Sequence, residues 1–231
     1  MRERALEFLS DNPLLHMGMI APIERGTADI FYAEKDGVCL LDTKSGAYMM
    51  SAASYETGRL LLETLPREGL FTFHQSFMLD DVKEKVIYSS LLENFQAVYF
   101  PKDELPVLKE LNIKPLDMSC FEILLENYDV DVGEDYLKKR IESGELFGGY
   151  VAGALVGFAG IHAEGSIGLL NVFDAYRQKG YGSALISHMV NHQLARGFVP
   201  FEQIGADNEP SLAIARKLGF SISSEKLYWL F

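Results

Sequence analysis

Arg177-Gln178-Lys179-Gly180-Tyr181-Gly182 decides how this chain is read. The six residues follow an apolar run, Ile167 to Phe173, and precede a helical pattern, Ser183 to Arg196. The run reads as a strand, so the sequence predicts strand, glycine-containing turn, helix. The first turn of a helix has N–H groups without intrahelical partners and the positive end of the helix dipole. Glycines let a ligand approach that backbone closely, and Arg177 and Lys179 add positive charge. The arrangement suits a pyrophosphate.

Three sites use such a cradle. A dinucleotide site needs G-x-G-x-x-G after a strand, and here Leu185 stands at the third glycine. Glu202 has the spacing of the ribose acid, but no second βαβ half follows. A P-loop needs G-x-x-x-x-G-K-[ST], which the chain lacks. The third site is one for coenzyme A.

Val172 to Gly182, VFDAYRQKGYG, resembles the acetyl-CoA-binding motif of the GNAT superfamily of N-acetyltransferases, roughly V-x-P-x-[YF]-R-x-x-G-x-G. Asp174 replaces the motif's proline. Asn208-Glu209-Pro210-Ser211 and Lys217-Leu218-Gly219-Phe220 resemble that superfamily's last helix and its exit into the final strand. The resemblance covers the last half of the chain and points to the glycine N-acyltransferase-like branch, which has an extra N-terminal region. It implies an α+β fold: a GNAT-like mixed central sheet flanked by helices, preceded by a smaller degenerate GNAT-like domain. It implies an acetyl-CoA-dependent N-acetyltransferase acting on a primary amine by direct attack in a ternary complex. The implied cosubstrate-binding residues are Val172, Phe173, Arg177, Gln178, Lys179, Gly180, Tyr181, Gly182, Ser183, Asn208 and Ser211.

For the base, Glu164 is the first choice and His162 the second, since both lie at the junction between two expected strands. Asn171, near the end of the second strand, is placed to hold a bridging water. In the GNAT superfamily the acid is often a tyrosine seven residues after the asparagine; here that position is Ala215. Water, Tyr181 or Tyr228 would then protonate the leaving thiolate. This departure keeps a second reading open, a non-catalytic acyl-CoA-binding or interaction module.

Composition narrows the classes. Of the 231 residues 48% are hydrophobic, enough for two cores, and no run is long enough to span a membrane. A net charge of −12 opposes nucleic-acid binding and favours a cationic partner such as an amine. Cys39 and Cys120 lack metal-ligand spacing and suggest a reducing compartment; MRERALEFLSDN does not read as a signal peptide, so a cytoplasmic protein is expected. A small-molecule or peptide amine is the expected partner, and a homodimer stays open. His188 and His192, four apart on a helix, read as packing residues rather than a metal pair. Trp229 is expected to pack or to line a substrate pocket.

Domains are expected at 1–110, with a linker containing Pro101 and Pro106, and at 111–231. In the first, helices are expected over Arg2–Leu9, Pro13–Ala21, Ser54–Leu65 and Asp80–Leu92. Strands are expected over Ala28–Ala33, Val38–Asp42, Ala47–Ser51, Leu70–His74 and Ala97–Phe100. A short helix is expected over Glu104–Leu111. No glycine turn follows Leu70–His74, so this half should not bind the coenzyme.

Overall fold

The computed structural model describes residues 1–128 and 133–231. They form two compact units. The first is Met1–Val98 with Phe201–Arg216 and Phe220–Phe231; the second is Tyr99–Pro200 with Lys217–Gly219. This division differs from the linear boundary at 110. The last strands of the chain pair with strands of its first hundred residues and so fall in the first unit.

The first unit opens with α1 (Arg2–Ser10) and α2 (Pro13–Arg25). Asn12 starts α2 by accepting the Leu15 N–H at 3.2 Å, Pro13 fills its first turn, and Gly26 ends it at φ +75°. Strands β1 (Ala28–Glu34), β2 (Gly37–Asp42) and β3 (Ala47–Ala52) form an antiparallel meander. Helix α3 (Tyr55–Glu63) then crosses over to β4 (Leu70–Phe73), which pairs in parallel with β3. Next come α4 (Leu79–Lys85) and β5 (Leu91–Val98). Far along the chain, β10 (Phe201–Gly205), α8 (Glu209–Leu218) and β11 (Ser221–Leu230) return to this unit, apart from the last residues of α8. The strand order is β1-β2-β3-β4-β11-β5-β10.

Alternation along the strands builds a core on each face of this sheet. Val38, Leu40, Met49, Leu227 and Trp229 face α1 and α2, where they meet Leu9, Met19 and Ile23. Cys39, Met50, Tyr228 and Leu230 face the other way, toward Leu61 of α3 and Val82 of α4.

Two expected helices are corrected. The stretch 80–92 is helical only to Lys85, and 91–98 is one strand. Its inward Asn94 and Gln96 break the apolar alternation, and the structure satisfies Gln96 with the Ser223 hydroxyl and the Glu202 carbonyl. The stretch 104–111 is irregular, because Asn191 accepts the Leu105 N–H and donates to the Leu105 carbonyl, at 2.7 and 2.8 Å. Pro106, which cannot donate in a helix interior, agrees with this.

The second unit carries β6 (Asn112–Pro115), β7 (Leu146–Val151), β8 (Ala154–Ile161) and β9 (Ile167–Val172) in the order β6-β7-β8-β9, all antiparallel. Helices α5 (Phe121–Asn127) and α6 (Glu134–Glu142) cover one face, with Leu124 and Leu137 against Phe158 and Leu169. Helix α7 (Tyr181–Ala195) covers the other, its Leu185 lying close to Gly149.

Among the described residues no helix is long and apolar enough to cross a membrane. Among them also no cluster of three or more His, Cys, Asp or Glu could hold a metal ion. His188 and His192 pack on Phe147, with ring centroids 5.2 and 5.0 Å away. Trp229 donates its indole N–H to Gln203 at 2.6 Å and stacks on Phe231.

Candidate active site

The turn into α7 is built by backbone conformation rather than by a capping side chain. Gly180 is the N-cap at φ +85°, a value an L side chain adopts only with strain. A Cβ there would touch only Leu108, at 3.7 Å, so the glycine is required by conformation and not by crowding. Gln178 also lies left-handed, at φ +62°. Gly180 has no side chain to cover the first N–H groups of α7, and no acidic residue lies in its first turn.

Arg177 is folded back on the turn. Its Nε donates to the Val172 carbonyl at 3.2 Å and its guanidinium pairs with Asp174 at 2.9 Å. Asp174, which stands at the motif's proline, thus pins the turn with an ion pair; both partners are exposed, so the pair contributes little stability. Lys179 donates to the Ala175 carbonyl and lies 5.3 Å from the Tyr176 ring centre. Both cations therefore sit at the turn. Val172, Phe173, Arg177 to Ser183 and the start of α7 form one continuous feature of the second unit.

Asn208 and Ser211 belong to the first unit. Asn208 caps α8 there, accepting the Ser211 N–H at 3.1 Å. The glycine at the far end behaves as expected: Gly219 has φ +87°, and Phe220 N–H reaches the Ala215 carbonyl at 3.0 Å.

Strand β9 carries a feature with no sequence signal. Phe158 faces Asn171 and Gly160 faces Gly168, so Leu169 and Leu170 together oppose Ala159. This is a β-bulge, with Leu169 at φ +52°. A left-handed leucine costs on the order of 1–2 kcal/mol. The bulge takes backbone groups of β9 out of the ladder with β8. Because a leucine occupies the position where glycine is usual, the chain gave no hint of it.

The hairpin between β8 and β9 gathers the remaining candidates. His162 N–H bonds the Ser166 carbonyl and Gly165 N–H the His162 carbonyl, which closes a tight turn. Glu164 is only 8% exposed, not the solvated tip that a hairpin usually presents, and accepts the Ser166 hydroxyl at 2.5 Å. Gln193 of α7 donates to the Gly165 carbonyl and anchors the turn. The His162 ring folds over β9: a Cβ on Gly168 would lie 2.5 Å from His162 Nε2. Tyr136 of α6, missed from sequence, lies 2.9 Å from His162 Nδ1 and accepts the Ala163 N–H at 3.2 Å. Arg140, one turn on, is buried beside the Tyr136 ring and donates to the Ile161 carbonyl at 3.5 Å.

Burial sets the protonation of this cluster. It lowers His162, against the pull of Glu164 and with a further push from Arg140, so the imidazole is neutral at neutral pH. Burial, reinforced by Glu164, raises the Tyr136 phenol. Asn171 is engaged: its amide donates to the Asn127 carbonyl and ties β9 to the end of α5. Ala215 is fully buried in the first unit, and Tyr228 is nearly so. Glu202, considered as a ribose acid, is buried on β10 and pushed up to about 8 by desolvation, so it is predominantly protonated at neutral pH and ill suited to that part.

A mixed sheet flanked by helices, with a bulged strand that runs through a glycine turn into a helix, defines a GNAT acetyltransferase fold. Residues 111–220 match the model of the acetyltransferase (GNAT) family. Solved structures agree across the whole chain. A Drosophila protein aligns over 100% of this chain and 87% of its own, with TM-score 0.66 and 15% identity. A GCN5-related N-acetyltransferase-like protein from Streptococcus suis aligns over 98% and 99%, with TM-score 0.54 and 16% identity. An acetyltransferase from the GNAT family of Colwellia psychrerythraea aligns over 98% and 97%, with TM-score 0.53 and 14% identity. No curated protein matches.

Proposed function

We propose that this chain is an acetyl-CoA-dependent N-acetyltransferase whose acceptor is a primary amine. The observation that carries the reading is the start of α7: a left-handed glycine cap, uncovered N–H groups and two cations at the turn after β9. Val172, Phe173 and the stretch Arg177 to Ser183 hold the coenzyme's pyrophosphate and the arm leading to its thioester. Residues 1–110 are a degenerate GNAT-like domain of the glycine N-acyltransferase-like branch, without coenzyme of its own. The protein works in the cytoplasm on a small-molecule or peptide amine.

The acceptor nitrogen attacks the thioester carbonyl carbon in a ternary complex. A C–N bond forms, the C–S bond breaks, the nitrogen loses its second proton to water as the intermediate collapses, and coenzyme A leaves as a thiolate that takes a proton from water or Tyr181. Glu164 removes the ammonium proton before attack, and backbone N–H groups released at the Leu169–Leu170 bulge receive the charge that develops on the carbonyl oxygen. Asn171 keeps β9 in register with α5 beside this point.

Release of free thiol from acetyl-CoA across a panel of amines tests the reading. Glu164→Gln should lower the rate by ~10²-fold, with coenzyme affinity barely changed. The loss should shrink as pH rises and more acceptor is already deprotonated. A near-normal rate at neutral pH would remove Glu164 from the chemistry.

The alternative is a module that binds acyl-CoA without turnover, and the burial of Ala215 favours it. That position lacks the usual acid and has no room for one. Ala215→Tyr should not restore an acid but destabilise the protein by about 1–3 kcal/mol through overpacking, which a thermal melt would read. Coenzyme binding without thiol release for every amine would establish the alternative.

A further inference from the structure

The Tyr136–His162 pair has no part in the scheme above, and its hydrogen-bond directions fix its chemistry. The Tyr136 oxygen already accepts the Ala163 N–H. Its own proton needs an acceptor, and among the described residues the one it meets is His162 Nδ1, at 2.9 Å. Nδ1 is therefore bare and Nε2 carries the hydrogen. A neutral imidazole of that tautomer is a donor at Nε2 and has no lone pair there with which to act as a base.

The donor lies beside the groups that the scheme above uses. Alternation places Gly168 of β9 and Ser166, the residue before that strand, on one face. Glu164 is bonded to Ser166 at one end of that face, and the Leu169–Leu170 bulge follows Gly168 at the other. The imidazole lies over Gly168 between them, filling the space that a side chain at 168 would take. Glycine at 168 is thus a condition for His162 to reach this position.

We propose that His162, held by Tyr136, donates a hydrogen bond from Nε2 to the acyl carbonyl oxygen during transfer, with Tyr136 as its positioning residue. This rests on the acetyl-transfer reading and assigns a second donor beside the bulge.

Histidine side-chain 15N NMR on the intact protein tests the tautomer without any substrate. His162 should show a protonated Nε2 and a bare Nδ1, and Tyr136→Phe should remove that preference. A protonated Nδ1 in the wild type would overturn the proposal and make His162 a candidate base. Kinetics with acetyl-CoA and the best amine of the panel test the role. His162→Leu should lose roughly 10²-fold in kcat, the scale of a lost oxyanion donor. His162→Gln keeps an N–H donor without basicity and should recover at least tenfold over the leucine variant. Equal losses in both variants, with coenzyme affinity unchanged in calorimetry, would overturn the donor role. Failure of the wild type to bind coenzyme A would instead overturn the acetyl-transfer reading and the donor role with it, while the tautomer result would still decide the pairing of Tyr136 with His162.

Discussion

Two strand-to-helix turns, one in each unit, solve the same problem in opposite ways. After β3, Ser54 accepts the Thr57 N–H at 3.2 Å, Thr57 donates its hydroxyl to Asp36 at 2.7 Å, and Glu56 adds a negative charge to the first turn of α3. A side chain thus takes an N–H of the helix start, and an acid lies beside it. After β9, Gly180 offers no side chain, no acid lies in the first turn of α7, and Arg177 and Lys179 border the turn. The first start is closed by capping and repels anions; the second is left unsatisfied by the chain and suits a phosphate. On the acetyl-transfer reading proposed above, a strand, a turn and a helix are not enough to make a coenzyme site. What matters is whether the chain's own oxygens have taken the N–H groups first.

Closing the α7 turn should have the largest effect. Gly180→Asp supplies a residue that tolerates the left-handed conformation and places a carboxylate at the helix start, as α3 has. Coenzyme affinity should fall roughly 100-fold, or about 2.7 kcal/mol, in calorimetry. Unchanged affinity in that variant would break the comparison. Gly180→Val adds no charge but strains the backbone, and should cost tenfold or more, about 1.4 kcal/mol. The smallest effect tests the other turn. Ser54→Ala should lower stability by ~1 kcal/mol in denaturant unfolding and leave coenzyme stoichiometry at one per chain. A second site appearing in that variant would show that α3 is closed by its cap alone.

The α7 turn was legible because glycine and charge are written in the residues: Gly180, Gly182, Arg177 and Lys179 mark it in any sequence. The caps at Ser54 and Gly219 were legible for the same local reason. The bulge was not, since Leu169 takes a conformation its side chain disfavours and only the pairing of β8 with β9 enforces it. Tyr136 was also invisible. Its neighbour His162 lies 26 residues away, brought near by the packing of α6 on the sheet. The strand expected from Ala97 in fact starts at Leu91, and this earlier part was missed because its polar inward residues are answered by partners more than 100 residues distant.

The place of β11 bears on how the molecule is made. Strands β4 and β5 are neighbours in sequence but not in the sheet; β11 lies between them, and its paired positions on β5 are 123 to 139 residues distant in the chain. As the polypeptide leaves the ribosome, the first unit has α1 to α4 and β1 to β5 in hand yet must hold a gap open. The apolar edges of β4 and β5 wait while the whole second unit is synthesised. That interval is when a chaperone would have most to do, and when pairing with the wrong strand would be cheapest.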